Sequence, residues 1–240
     1  MNRSSGKVLF WDFDGTLASA PGLWVQAIYA ELVETLPGTG IGLEQVRERN
    51  QTGYPWHHPE EDHRALIRPG AWWSYMETVF TTIYRDLGID QKPASAMAGR
   101  IRPRILDPRN YTLLPHALQV LQACRERGYA NWLLSNHMPE LREILTALGL
   151  PPLLDGVLLS AEIGFEKPHP ALFGAALERT GNPVTRYMIG DNPVADIAGA
   201  KQAGIPAILI ETATGHPWKP GPVPPDFTCS RLTDILDFIP

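Results

Sequence analysis

The chain has 240 residues, 44% hydrophobic and 20% charged, which is typical of a globular protein with a sizeable core. Its 21 basic and 26 acidic residues give a formal charge of −5, which argues against nucleic acid as a main partner and leaves small phosphorylated substrates open. No segment approaches the roughly 18 apolar residues of a membrane-spanning helix. Cys124 and Cys229 lack metal-type spacing, and a disulfide framework is not expected. We therefore expect a cytoplasmic protein without a membrane anchor.

The first predicted element is a strand over residues 7–13, KVLFWDF, whose nearly continuous apolar run is typical of a parallel sheet covered on both faces. Similar runs predict further strands over 129–136, 156–160, 186–191, 206–211 and 227–230. Apolar spacing, with proline near helix starts and glycine at helix ends, predicts helices over 115–128, 138–150, 169–181, 193–204 and 232–238. This alternation predicts an α/β fold, a three-layer Rossmann-like core with an open parallel sheet.

Residues 20–110 interrupt the alternation, since they contain no convincing strand. Helices are predicted there over 22–36, 43–50, 71–87 and 94–105. Four of the seven tryptophans fall in this region: Trp24, Trp56, Trp72 and Trp73. We expect residues 20–110 to form an all-helical cap, inserted after the first strand into a core of residues 1–19 and 111–240. A proline-rich segment, 215–227, is predicted to run extended over the surface.

Polar residues follow the predicted strands at their carboxyl ends, the edge at which open parallel sheets bind ligands. They are Asp12, Asp14 and Thr16 at the first strand, Ser135 and Asn136 at the second, Lys167 after the third, and Asp191 and Asp196 at the fourth. Each group alone is compatible with a turn, a helix cap or a solvated surface residue. Together they predict a functional site, because structural roles give no reason for all of them to end successive strands.

The four segments DFDGT, LLSN, EKPHP and GDNPVAD resemble the motifs of the haloacid dehalogenase-like (HAD) hydrolase superfamily. The resemblance spans the whole chain, because the helical insert corresponds to the cap that many members carry after the first motif. The region of Trp72 and Trp73 and the segment EIGFEKPHPALF look like the phosphatase-type members. The resemblance implies a Mg²⁺-dependent phosphatase that hydrolyses a small phosphorylated metabolite through an aspartyl-phosphate. It identifies neither the substrate nor the oligomeric state.

The resemblance also implies roles for the residues of the first two motifs. Asp12 is the expected nucleophile and a Mg²⁺ ligand. Asp14 is expected to bind the metal through its backbone carbonyl and to act with its side chain as general acid and then base. Ser135 and the backbone N–H of Asn136 are expected to hold phosphoryl oxygens. The one-residue spacing of the two aspartates predicts that both side chains face one phosphate, since alternate strand residues point the same way.

For the remaining motif residues the resemblance implies supporting roles. Lys167 is expected to bring positive charge to both Asp12 and the phosphate. Asp191 is the expected third protein ligand of Mg²⁺, and Asp196 is expected to orient Lys167 or metal-bound water, with direct ligation left open. Gly15 permits a tight turn beside the phosphate, and Thr16 is expected to brace the loop.

Substrate selection is expected in the cap, where the candidates are Arg47, His57, His58 and Arg64. The segment HHPEEDH, residues 57–63, either holds a transition metal or forms an exposed charged loop, and its composition favours the loop.

Three other functions stay open at this point. A phosphomutase uses the same motifs and differs only in its phosphoryl acceptor. A metal-independent haloacid dehalogenase is disfavoured by Asp14, because dehalogenases of the superfamily typically lack an acid at that position. A catalytically silent binding module is disfavoured because Asp12, Asp14 and Lys167 are all present.

Overall fold

The computed structural model describes residues 6–211 and 221–240, so that part of the predicted extended segment, 215–220, lies outside the described residues. The strands are β1 Lys7–Trp11, β2 Ala18–Ser19, β3 Thr112–Leu113, β4 Ala130–Ser135, β5 Gly156–Leu159, β6 Thr185–Gly190, β7 Ala207–Ile210 and β8 Phe227–Cys229. Six of them form one sheet in the order β5-β4-β1-β6-β7-β8, with every pairing parallel. This topology confirms the predicted α/β fold with its open parallel sheet.

The helices surround this sheet and fill the insert. They are α1 Leu23–Thr35, α2 Leu43–Arg49, α3 Ala71–Asp86, α4 Gln91–Ala98, α5 Arg102–Ile105, α6 Ala117–Glu126, α7 Leu141–Ala147, α8 Ser160–Ile163, α9 Pro170–Arg179, α10 Gly199–Gln202 and α11 Ile235–Phe238. In the part of the chain that the structure describes, none is both long and apolar enough to cross a membrane.

Two of the predicted helices were wrong in detail. The helix predicted over 193–204 begins instead as a π-helical turn, Pro193–Ala198, and only then continues as α10. The helix predicted over 94–105 is two helices, α4 and α5, and Pro103 stands in the first turn of the second, where its missing N–H needs no partner.

The apolar run of β1 is explained by burial on both faces of the sheet. Leu9 and Trp11 belong to one hydrophobic cluster, which continues into the helical insert. Val8 and Phe10 point to the opposite face and belong to a second cluster with residues of α9. Since both faces are covered, the strand needs no polar alternation.

The insert begins and ends at a short two-stranded ribbon. β2 and β3 pair antiparallel, and the chain between them forms helices and short helical turns but no strand. The insert also contacts the core directly, because Glu140 accepts hydrogen bonds from Trp73 Nε1 at 2.8 Å and from Arg102 Nη2 at 2.5 Å. These contacts hold the insert beside the carboxyl ends of the strands.

Candidate active site

A tight turn after β1 places Asp12 and Asp14. The strand ends at Trp11, and the carbonyl oxygen of Phe13 accepts hydrogen bonds from three backbone N–H groups, those of residues 16, 17 and 18, at 2.9–3.2 Å. Gly15 completes the turn with a φ of +78°. Both aspartates line one cavity. Strand alternation is therefore the wrong reason for their convergence, since the turn and not the strand aims them.

One buried ammonium group joins three of the motifs. Lys167 Nζ donates to Asp12 Oδ1 and to Asp196 Oδ1, each at 2.6 Å, and Ser135 Oγ donates to the same Asp12 oxygen at 3.0 Å. Asp12 is 7% exposed, Lys167 3% and Asp196 0%. Burial lowers the pKa of Lys167, but the two carboxylates outweigh that effect and hold its pKa above the ordinary value. The lysine therefore stays charged beside Asp12.

The π-helical turn after β6 aims Asp196 back at the lysine. Asp196 Oδ2 accepts from the backbone N–H of Asn192 at 3.0 Å, while Oδ1 accepts from Lys167. Gly190 is required at the end of β6, because a Cβ there would overlap the Asp196 carboxyl group. With both oxygens engaged, Asp196 is arranged to orient Lys167.

A cluster of three buried carboxylates fits a divalent cation. Asp12, Asp191 and Asp196 each offer an oxygen within 4.8 Å of the others. Gly15 permits this approach, since a Cβ at that position would collide with Asp191 Oδ2. Lys167 supplies one positive charge against three negative ones, and oxygen-only donors are the set that Mg²⁺ prefers. The residues therefore fit Mg²⁺.

Asp14 and His137 form a second polar pair in the cavity. His137 Nε2 lies 3.4 Å from Asp14 Oδ2, and the Asp14 side chain is 51% exposed. Partial desolvation by the protein around it, and then the charge of Asp12, raises the pKa of Asp14 to about 7, while Lys167 opposes the rise. Burial lowers the pKa of His137 to about 4, so its imidazole is neutral near pH 7. Asp14 is thus set to hold or release a proton near neutrality.

His137 lines the cavity, although its sequence position beside the second motif favoured a structural role. Its sequence position, two residues after Ser135, placed it near the motif without indicating a contact to Asp14. Its Nδ1 is buried. Its ring packs edge-on against Phe13, with the ring centroids 5.6 Å apart.

Asn136 and Thr16 shape the loops around the site. The Asn136 side chain accepts from the backbone N–H of Lys167 at 2.6 Å and donates to its carbonyl oxygen at 3.0 Å. Both groups of its side-chain amide are therefore engaged with the backbone of Lys167. Thr16 is buried in the turn, and its hydroxyl has no hydrogen-bond partner in the described part of the chain.

The cavity between the core and the insert has a volume of about 940 Å³. The core contributes Asp12, Asp14, Ser135, Asn136, His137, Lys167, Asp191 and Asp196 to its lining. The insert contributes Trp24, Asn50, Trp56 and Pro59 among others. The motif residues and one wall of the insert thus face the same space.

The four predicted selection residues lie elsewhere and do not line the cavity. Three pair with exposed acids: Arg47 with Glu44 at 3.4 Å, Arg64 with Asp62 at 2.6 Å and His58 with Glu60 at 3.8 Å. His57 packs against the rings of Tyr54 and Trp56. The structure does not bring these four to the cavity, and Arg64 lies instead against the core, with its guanidinium 5.5 Å from the centre of the Phe165 ring.

The chain is similar in sequence to known hydrolases. A family model described as haloacid dehalogenase-like hydrolase matches residues 7–204. The phosphoserine phosphatase of Thermus thermophilus is 43% identical over 139 residues, which are 57% of this chain and 55% of that enzyme, so the match spans little more than half of that relative. The glyceraldehyde 3-phosphate phosphatase of Methanothermobacter thermautotrophicus is 28% identical over 210 residues, 86% of each chain.

Among solved structures, the HAD-hydrolase YfnB of Bacillus subtilis superposes over 97% of both chains with a TM-score of 0.73 at 18% identity. At that identity the likeness shows a shared fold.

Proposed function

Because this chain belongs to the haloacid dehalogenase-like hydrolase family, we propose that it is a Mg²⁺-dependent phosphatase of a small phosphorylated metabolite. The observation that carries the proposal is the buried Lys167 ammonium, 2.6 Å from both Asp12 and Asp196. A buried charge network of this kind contributes little net stability, so its presence at the strand edge where ligands bind supports a functional role.

The first half-reaction transfers the phosphoryl group to the protein. A carboxylate oxygen of Asp12 attacks phosphorus, and the bond from phosphorus to the ester oxygen breaks. Asp14, in its protonated form, gives its proton to the leaving alcohol. The products are an alcohol and an aspartyl-phosphate on Asp12.

The second half-reaction restores the protein. The Asp14 carboxylate takes a proton from water as that water attacks phosphorus, and the bond to Asp12 breaks. Inorganic phosphate leaves, and Asp14 is protonated again. A pKa of about 7 suits Asp14 to both roles, since a group that titrates near the working pH is effective as acid and as base.

The remaining core residues position charge around phosphorus. When bound, Mg²⁺ supplies the positive charge that lets an anionic carboxylate approach an anionic phosphate, and Asp12, Asp191 and the backbone carbonyl of Asp14 would hold it. Lys167 adds a fixed positive charge beside the same oxygens. Ser135 and the backbone N–H of Asn136 bind phosphoryl oxygens.

We assign residues 20–110 to a cap and residues 1–19 and 111–240 to the catalytic core, with the β2–β3 ribbon at the boundary. The cap excludes bulk water from the cavity and contacts the leaving group. A cytoplasmic location is consistent with the two buried thiols, Cys124 and Cys229.

The test is phosphate release from a panel of phosphorylated metabolites, with Mg²⁺ and with a chelator. Asp12→Asn is expected to lose activity about 10³-fold or more, since it removes the nucleophile. Asp62→Asn, an exposed aspartate outside the cavity, is the matched control and keeps wild-type activity. An active, folded Asp12→Asn protein would contradict the assigned nucleophile.

The same panel separates the other functions. Isomerised sugar phosphate without free phosphate indicates a mutase, and halide release without metal indicates a dehalogenase. No turnover on any ester, together with a stable specific partner, indicates a binding module.

A further inference from the structure

Two tryptophans of the insert form an aromatic wall of the cavity that contains Asp12. Trp24 lies in the first turn of α1 and Trp56 in the short helical turn Pro55–His57. Their ring centroids are 5.6 Å apart, and both side chains are only partly buried. Trp72, in the same insert, is 2% exposed and does not line the cavity. Trp73 is likewise buried and does not line the cavity, so the insert buries two of its tryptophans and leaves two in contact with the cavity.

Other rings hold this aromatic wall in place from behind. The buried Tyr54 ring stacks on Trp56 with centroids 4.7 Å apart, and it also packs edge-on against Trp24 at 5.3 Å. The centroid of the buried Phe80 ring lies 6.2 Å from that of Trp24. Because the two indoles are fixed before any ligand binds, little conformational entropy is lost when a ligand packs on them.

A polar group stands beside the aromatic wall. Asn50 lines the same cavity, and its Oδ1 accepts a hydrogen bond from the Tyr54 hydroxyl at 2.5 Å. That contact commits the oxygen of the amide and leaves its N–H groups to donate to a ligand. A carbonyl or a ring nitrogen on the bound molecule is a suitable acceptor.

The charges of the cavity restrict the leaving group. Among the described residues that line it, the only lysine is Lys167, and there is no arginine. Lys167 is held between Asp12 and Asp196, and the cavity also contains Asp14 and Asp191. Among the described residues, a leaving group with its own carboxylate or second phosphate would find no further side-chain cation to pair with, because Lys167 is already paired with Asp12 and Asp196.

Resting on the proposed phosphatase function, we infer that the substrate is the monophosphate ester of an uncharged alcohol that carries an aromatic ring, and that the ring packs on Trp24 and Trp56. The cavity of about 940 Å³ is near the upper end of small-molecule sites, which is more room than a three-carbon leaving group needs. The two phosphatase relatives do not decide the matter, since one is named for an amino-acid ester and the other for a triose.

The experiment compares four esters with the wild-type protein and Mg²⁺. Benzyl phosphate carries a ring next to the ester, and a nucleoside 5′-monophosphate carries its ring beyond a ribose. Glycerol 3-phosphate has an uncharged leaving alcohol without a ring, and phosphoserine has a charged leaving group. We expect kcat/KM for the better of the two aromatic esters to exceed that for glycerol 3-phosphate and phosphoserine by about tenfold, the effect of one well-formed aromatic contact.

Two variants test the aromatic wall itself. In Trp24→Leu and Trp56→Leu, the ratio of kcat/KM for the better aromatic ester to that for glycerol 3-phosphate should fall about five- to tenfold. Trp132→Leu is the matched control, because Trp132 is partly buried like the other two but lies in β4 and does not line the cavity. Its ratio should equal that of the wild type.

The outcomes separate this inference from the proposed function. Phosphate release that is fastest from phosphoserine or glycerol 3-phosphate overturns the inference and leaves the phosphatase intact. A ratio unchanged in Trp56→Leu also overturns it, even if Trp24→Leu does not fold. No phosphate from any ester overturns the proposed function itself. If the aromatic esters are preferred, the comparison of benzyl phosphate with the nucleoside 5′-monophosphate decides whether the ring lies next to the ester or one sugar away.

Discussion

The core and the insert meet at one cavity but use different chemistry there. The core presents charged and polar groups that are fixed by buried hydrogen bonds, as in the contacts of Lys167 with Asp12 and Asp196. The insert presents the rings of Trp24 and Trp56, which other rings hold in place. The core is thus suited to bond breaking and the insert to choosing the leaving group. It follows that changes in the core should affect rate, whereas changes in the insert should affect selectivity or stability.

The largest effect is predicted for Lys167→Met. Without the ammonium, Asp12 and Asp196 lose a shared partner inside the protein, and phosphate loses a fixed positive charge. We predict a loss in kcat/KM of about 10³-fold and a fall in unfolding free energy of about 3–5 kcal/mol. Phosphate release and urea denaturation measure the two effects.

Lys201→Met is the control, because Lys201 pairs with Asp226 at 2.7 Å but both side chains are about one third exposed. A surface pair of this kind contributes at most about 1 kcal/mol, and activity should not change. Equal losses in the two variants would show that the buried lysine has no special role in the core.

A smaller loss of activity is predicted for Gly15→Ala. The new Cβ would collide with the Asp191 carboxylate, and the residue would keep a φ of +78° that favours glycine. We predict a loss in kcat of about 10²-fold from the displaced carboxylate. Phosphate release at saturating substrate measures it.

Gly128→Ala separates the effect of backbone strain from the effect of displacing the Asp191 carboxylate. Gly128 has a φ of +82°, but a Cβ there would meet nothing within 4 Å. Both variants should lose about 1 kcal/mol of stability from backbone strain, and only Gly15→Ala should lose activity. If Gly128→Ala loses as much activity as Gly15→Ala, displacement of Asp191 is not the cause.

The core was predictable from sequence because its signals are local. A strand that is buried on both faces reads as an apolar run, and its end is marked by the polar group that follows, as at Trp11–Asp12. The sheet then brings the ends of β1, β4 and β6 together without further information. The exact geometry was not predictable: the turn at Phe13 and the π-helical turn at 193–198 depend on hydrogen bonds that apolar spacing does not report.

The residues of the insert that line the cavity could not be predicted, because the sequence does not distinguish an apolar side chain buried in the core from one that lines a cavity. Trp24 and Trp72 both sit in the first turn of a helix, and only packing decides that one lines the cavity while the other is buried. Charge was a misleading guide there. Arg47 and Arg64 form ion pairs with the neighbouring acids Glu44 and Asp62, whereas the uncharged Asn50 lines the cavity.

The smallest predicted effect concerns the stability of the insert, through Glu31 on α1. Its buried carboxylate accepts from Arg100 at 2.7 Å and from Arg104 at 2.9 Å. Burial alone would raise its pKa, but the hydrogen bonds from Thr35, Arg100 and Arg104 outweigh that effect and hold the pKa below the ordinary value of 4.5. Glu31 therefore stabilises the folded state fully above that ordinary value, and this contribution is lost as the pH falls through the lower pKa of the folded state.

We predict that Glu31→Gln lowers the unfolding free energy by about 1–3 kcal/mol at pH 7, a range reduced from that of fully buried pairs because Arg100 is half exposed. The difference from wild type should shrink as the pH falls below 4.5, which urea denaturation across that range measures. Glu34→Gln, whose side chain is 71% exposed, should change stability by less than about 0.5 kcal/mol. Since Glu31 does not line the cavity, the folded variant should keep the wild-type kcat. A kcat as low as that of Lys167→Met would mean that the insert takes part in bond breaking, and the division of labour between the two regions would fail.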